Sequence, residues 1–307
     1  MDVRRIGSLE VSVVGMGCNN FGRRLDAEAT SAVVDAALEA GITFFDTADI
    51  YGNTRSEEYL GRALGGRREG VVVATKFGSS IDEQRRGARP EYVYRAVDDS
   101  LRRLGTDWID LYQLHTPDPG VPIGETLGAL DELVKAGKVR EIGCSNFSAD
   151  QLREAEEAAR EDAARFESVQ NEYSLLHREP EGGVLPECES SGIAFVPYFP
   201  LANGLLTGKY RQGEDAPAGS RLDSARGERL LTEENLAVVE RLIEFSASRG
   251  RTILELAFSW LLRRPAVATV IAGAVSAEQA RGNAGAAGWQ LTDEELHEVD
   301  SIVKSPN

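Results

Sequence analysis

Cysteine is scarce in this chain of 307 residues: only Cys18, Cys144 and Cys188 occur, and no two form a C-x-x-C pair. So few, so far apart, they exclude a disulfide framework and a cysteine-based zinc site, and they fit a reducing compartment. Basic charge is short as well, with 34 Lys+Arg against 50 Asp+Glu and a formal net charge of −16. That balance argues against nucleic acid or an anionic membrane as partner, since both attract a basic face. Long apolar runs are missing too. The N-terminus "MDVRRIGSLEVSVVG" has neither the apolar core nor the cleavage site of a signal peptide. No stretch approaches the length of a membrane span. A cytoplasmic protein is expected. Lysine is the last scarcity: the basic residues include only Lys76, Lys135, Lys138, Lys209 and Lys304. A lysine inside an apolar run therefore calls for explanation.

What is present is an ordinary globular composition, 42% hydrophobic and 27% charged, in a chain long enough to bury a core without staples. Short apolar, β-branched or aromatic runs alternate with helical patterns. Strands are expected at 13–17, 43–47, 71–76, 109–115, 141–145, 168–172, 193–199 and 267–273. Helices between them include "DAEATSAVVDAALEA", followed by Gly41 as a C-cap signal, and "RPEYVYRAVDDSLRRL", with Pro90 near its start. Eight β-α repeats with strands apolar on both faces predict a closed parallel (β/α)8 TIM barrel of the α/β class. The competing doubly wound sheet usually carries a G-x-G-x-x-G turn, which is absent. "VRRIGSLEVSV" reads as a hairpin over the barrel's N-terminal end. No interdomain linker is visible, so residues 1–307 are expected to form a single domain. The longest irregular stretch, 202–231, reads as a binding loop covering a ligand.

Chemistry in such a barrel sits where strands end. Asp46 closes the second strand in "TFFDTADIYG", and Tyr51 follows in the loop. Lys76 closes the third strand and His115 the fourth. Singly, each has a plain reading: a turn acid, a packed tyrosine, a hydrogen-bonded histidine. A buried ammonium is costly without a partner, and Asp46 on the adjacent strand is the natural one. Together the four make a proton-delivery device. A free phenol titrates near 10, so a neighbouring ammonium is expected to lower Tyr51, while Asp46 holds Lys76 charged and neutral His115 orients a carbonyl.

The chain resembles the aldo-keto reductases along nearly its whole length, through "GMGCNNFG", "FDTADIYG", "VVVATKFG", "DLYQLH", "IGCSNF", "VQNEYS", "YFPLANGLLTGKY", "GSR" and "GAVSAEQARGN". The resemblance implies a barrel that binds NADP(H), with NAD as the alternative, and passes a hydride to an aldehyde or ketone. It makes Asp46, Tyr51, Lys76 and His115 the catalytic set, with Tyr51 the general acid. For the cofactor it implies Ser145, Asn146 and Gln170 on the nicotinamide carboxamide and Tyr198 against the ring. Leu201, Asn203 and Gly204 would lie along the pyrophosphate, and Lys209 and Arg221 would meet the phosphates. Gly273, Ser276, Gln279 and Asn283 would hold the adenosine end. No metal is implied, and the partner is a small carbonyl or sugar. Two departures stand out. Gly273, Val275 and Gln279 occupy positions where many relatives carry a base for the 2′-phosphate, leaving Arg281 as a substitute. Asn19 stands where many carry a bulky aromatic. Alternatives are a sugar dehydrogenase running the same chemistry in reverse and, last, a cofactor-sensing regulatory module.

Overall fold

Two short strands, β1 (Val3–Ile6) and β2 (Leu9–Ser12), open the chain as an antiparallel hairpin. Eight further strands follow in the computed structural model, which describes residues 1–223 and 225–304: β3 (Val14–Gly17), β4 (Phe44–Asp46), β5 (Val72–Phe77), β6 (Ile109–Leu114), β7 (Val139–Ser145), β8 (Phe166–Glu172), β9 (Ala194–Tyr198) and β10 (Val270–Gly273). The expected domain runs to Asn307, so its last three residues, like Ser224 in the long stretch, lie outside the described ones. The eight strands pair in parallel in the order β10-β3-β4-β5-β6-β7-β8-β9. The cylinder closes just upstream of β10, where the Phe195 N–H donates to Ala266 O at 2.7 Å and the Ala268 N–H to Phe195 O at 3.0 Å. The structure is a (β/α)8 barrel, at the strand positions that the apolar runs predict.

Helices cover its outer face: α1 (Ala27–Glu39), α2 (Arg55–Leu64), α3 (Pro90–Leu104), α4 (Ile123–Lys135), α5 (Ala149–Ala158) and α6 (Val184–Ser191). Three lie between β9 and β10, α7 (Ala225–Leu230), α8 (Glu233–Ala247) and α9 (Ile253–Leu262), and α10 (Ala277–Gly285) and α11 (Asp293–Lys304) finish the chain. Their ends follow local chemistry. The Asp26 side chain accepts from Ala29 N ahead of α1, and Pro90 takes the first position of α3. Ser148 and Gln151 form a capping box on α5. None of the helices with described residues is long and apolar enough to cross a membrane.

Strand side chains alternate between two cores. Phe45, Val73, Tyr112, Val169 and Phe195 join the large core between sheet and helices. Phe44, Val72, Ala74, Leu111 and Val196 form a second core inside the cylinder, sealed from below by Ile6, Leu9 and Val11 of the hairpin. Gly15 gives up its side chain for that interior: a Cβ there would come within 2.9 Å of Phe44 Cδ1. The hairpin is held at its flank by Arg4, whose guanidinium donates to Leu262 O at 2.6 Å and to Arg264 O at 3.1 Å.

Candidate active site

The same alternation builds the site. Two residues beyond Phe44, Ala74 and Leu111 come Asp46, Lys76 and Gln113, so all three face inward at the C-terminal end, one layer above the apolar plug. Gln170 and Ser145, paired in register on β8 and β7, close the ring. Lys76 is 1% exposed, and its Nζ donates to Asp46 Oδ1 and Oδ2 at 2.8 and 2.7 Å and to Thr47 O at 2.8 Å. Asp46 Oδ1 also accepts from Gln170 Nε2 at 2.8 Å and from Gln113 Nε2 at 3.4 Å. The pair is thus a buried, multiply bonded ion pair, the form in which such charges persist away from water.

Tyr51 is placed by the loop after β4. Thr47 N–H donates to Ala74 O at 2.8 Å, and Asp49 N–H donates to Lys76 O at 3.1 Å. Gly52 then turns at φ +60°, beneath the loop between β3 and α1; a Cβ there would sit 2.4 Å from Phe21 O. The Lys76 ammonium stands 5.1 Å from the centroid of the Tyr51 ring. His115 continues the ladder from β6, its N–H donating to Phe77 O at 2.8 Å, and meets Tyr51 edge-on with centroids 5.8 Å apart.

Burial sets the protonation states. It pushes His115 down to about 3, with Lys76 adding to the effect, so the imidazole is neutral at any ordinary pH. Lys76 loses to desolvation but gains more from Asp46 and the Tyr51 phenol, and its pKa is raised. Tyr51 differs from expectation. Burial raises its phenol above the usual value, and the opposing pull of Lys76 does not overcome that. The buried phenol thus holds its proton more tightly than a free tyrosine.

Above this cluster lies a cavity of about 710 Å3. All the expected site residues line it except Lys76, which lies beneath Asp46, and Ser276, which caps α10 by accepting from Gln279 N. Gln279 Oε1 in turn accepts from Val275 N. Ser145, Asn146, Gln170 and Tyr198 are knit together: Ser145 Oγ donates to Gln170 O, Asn146 Nδ2 to His115 O, and Tyr198 OH to Asn146 Oδ1 at 2.9 Å. Along the far wall the backbone is unusual. Phe199, Ala202, Asn203 and Gly204 have φ of +50°, +45°, +58° and +104°, conformations that cost energy in non-glycine residues. The Lys209 side chain lies against Gly204, and the Arg221 guanidinium is 5.4 Å from the centroid of Phe199.

A dinucleotide fits these residues. Three cations, Arg24, Lys209 and Arg221, line the wall, which suits phosphates. Asn19 Oδ1, His115 Nδ1 and Asn283 Nδ2 are buried polar atoms without a hydrogen-bond partner at the cavity, and such atoms call for a ligand or water. A Cβ at Gly273 would stand only 3.3 Å from Asn20 Nδ2 and 3.4 Å from Asn19 Oδ1, so a glycine keeps that end open. Arg281 is not at the cavity; it pairs with Glu39 on the surface at 3.0 Å. Sequence reasoning missed Arg24, whose Nη2 donates to Gly219 O and tethers the long stretch, and missed Phe199 as a wall residue. Neither carries a sequence signal. Among the described residues no group of three or more His, Cys, Asp or Glu side chains could hold a metal ion.

Comparison with known proteins gives a consistent result. The sequence model described as the aldo/keto reductase family matches residues 13–304. Aldo-keto reductase YhdN of Bacillus subtilis is 34% identical over 97% of this chain and 91% of its own length. Aldo-keto reductase yakc [NADP(+)] of Schizosaccharomyces pombe is 34% identical over 96% of this chain and 89% of its own length. Among solved structures, the glycerol dehydrogenase AKR11B4 from Gluconobacter oxydans superposes with a TM-score of 0.87 at 32% identity, covering 100% of this chain and 97% of that one. The holo form of aldo-keto reductase AKR11C1 from Bacillus halodurans gives 0.82 at 33% identity, covering 98% and 96%.

Proposed function

The chain belongs to the aldo/keto reductase family of oxidoreductases, and from that premise we propose that it reduces aldehydes or ketones to alcohols with NADPH, using Tyr51 as general acid. The observation that carries this reading is the buried Asp46–Lys76 pair with its ammonium 5.1 Å from the Tyr51 ring. The cavity residues from Ser145 to Asn283 would hold a nicotinamide cofactor, which when bound would supply the hydride for the carbonyl carbon. Negative charge then gathers on the carbonyl oxygen, and the Tyr51 hydroxyl donates its proton there. Burial keeps that proton in place until an oxygen anion demands it. Lys76 stabilises the phenolate left behind, and Asp46 keeps Lys76 charged and aimed. His115, neutral throughout, orients the substrate oxygen.

A second reading, a dehydrogenase acting on a polyol or sugar, is favoured by the polar Asn19 at the cavity and by the similarity to the glycerol dehydrogenase from Gluconobacter oxydans. Initial rates with NADPH and NADH against a carbonyl panel, and with NADP and NAD against a polyol panel, test both. Faster reduction with NADPH is the expected result. Faster polyol oxidation selects the second reading. Tight cofactor binding with no turnover in either direction would overturn both in favour of a regulatory module.

A further inference from the structure

The acid in "TFFDTADIYG" that the proposed chemistry does not use is Asp49. It is 1% exposed and points away from the cavity, into a polar cluster between β5, β6, α2 and α3. Its Oδ2 accepts one long hydrogen bond, 3.4 Å, from Tyr92 OH of α3, and its Oδ1 has no partner. Glu57 of α2 is completely buried and accepts from Thr75 Oγ1 of β5 and from Arg103 Nε of α3, both at 2.6 Å. Arg103 is therefore already matched by Glu57. Tyr112 of β6 is a buried phenol whose hydroxyl also has no partner. Burial above all, and then the nearby Glu57, disfavours a charged Asp49, and the two outweigh the opposing pull of Arg103, Tyr92 and the Ile50 backbone. An ionised Asp49 would place a second carboxylate beside Glu57 with no cation left to balance it, and a neutral acid avoids that conflict.

The backbone of the same residue holds the site. Asp49 N–H donates to Lys76 O, while Lys76 Nζ donates to Thr47 O, so the loop and the lysine grip each other at both ends. Tyr51 N–H then bonds back to Ala48 O. We propose that Asp49 is a positioning residue which, in its protonated form, seats the loop 47–52 and thereby sets the Tyr51 phenol against Lys76. It rests on the reading of Tyr51 as proton donor, and it adds a pH-dependent element to that site. The acid's titration is pushed up from its usual value to about 7. An acid raised in the folded state stabilises the fold fully below its unfolded pKa, and that stabilisation is lost as pH rises through the folded value. The window is therefore about pH 4 to 7.

Asp49→Asn keeps shape and polarity but cannot ionise; Asp49→Leu removes the polar contact. Melting temperatures of wild type and both variants should be followed from pH 4.5 to 8, together with kcat for a carbonyl substrate and NADPH affinity. The expected result is that Asp49→Asn gains stability relative to wild type as pH rises to about 7, and lacks the fall in kcat that wild type shows near that pH. Asp49→Leu should lose at least tenfold in kcat at pH 6 with NADPH affinity within twofold of wild type, and Asp49→Asn should retain that kcat. A melting difference between wild type and Asp49→Asn that does not change with pH would overturn the proposal, as would a Leu variant with wild-type kcat. Absence of turnover in every form would sink the reductase reading instead, while the melting comparison, which needs no turnover, still decides whether Asp49 is held protonated.

Discussion

A lysine ammonium with three oxygens around it and almost no contact with water is stable only as part of a set. Removing Lys76 while keeping Asp46 leaves a buried carboxylate supported by two amides alone, and breaking such a pair costs about 3–5 kcal/mol. Lys76→Met should therefore lower the melting temperature strongly and abolish most of the turnover. The double variant Asp46→Asn/Lys76→Met should recover much of the stability, because neither charge is then left unpaired, yet remain inactive. Equal destabilisation of single and double variants in calorimetry would show that the ion pair is not what stabilises this layer. His115 illustrates the same physics with opposite sign: burial keeps it uncharged, so it can share a hydrogen bond without competing with Lys76 for the phenol.

Among elements, the hairpin and the long stretch after β9 do opposite jobs at opposite ends of the barrel. Ile6 of the hairpin is fully buried in the inner core with Phe44 and Leu111. Ile6→Ala should cost about 2–5 kcal/mol by emptying that plug, measured by denaturant unfolding, and leave kcat unchanged because the proposed catalytic layer lies at the other end. A kcat falling in step with stability would contradict the separation. The eight strands were legible in sequence because each is an apolar run at a β-α repeat, and the strand ends pointed to Asp46, Lys76 and His115. The stretch 202–231 was not. It contains a 3-10 segment, Ala202–Thr207, and the short helix α7, and its left-handed turns fall on Ala202 and Asn203 as well as on glycine, with Phe199 just ahead of it doing the same. Residue types that normally avoid positive φ give no sequence signal when tertiary contacts impose it. The phenol's direction of shift was misjudged for a related reason: the charge of Lys76 is visible in sequence, whereas the depth of burial that outweighs it is a property of the whole cavity.

At the scale of the molecule, strand parity converts residues scattered from 46 to 283 into one cavity, with the Tyr51 phenol at its floor and cations along its wall. Cofactor binding and proton delivery are assigned to different parts of that cavity, so they should separate in one protein variant. The direct measurement is single-turnover NADPH oxidation by wild type and Tyr51→Phe with saturating carbonyl substrate, alongside fluorescence titration of NADPH binding. We expect the variant to bind NADPH within about twofold of wild type and to oxidise it at least roughly 10²-fold more slowly. A variant that keeps most of its oxidation rate would contradict the account.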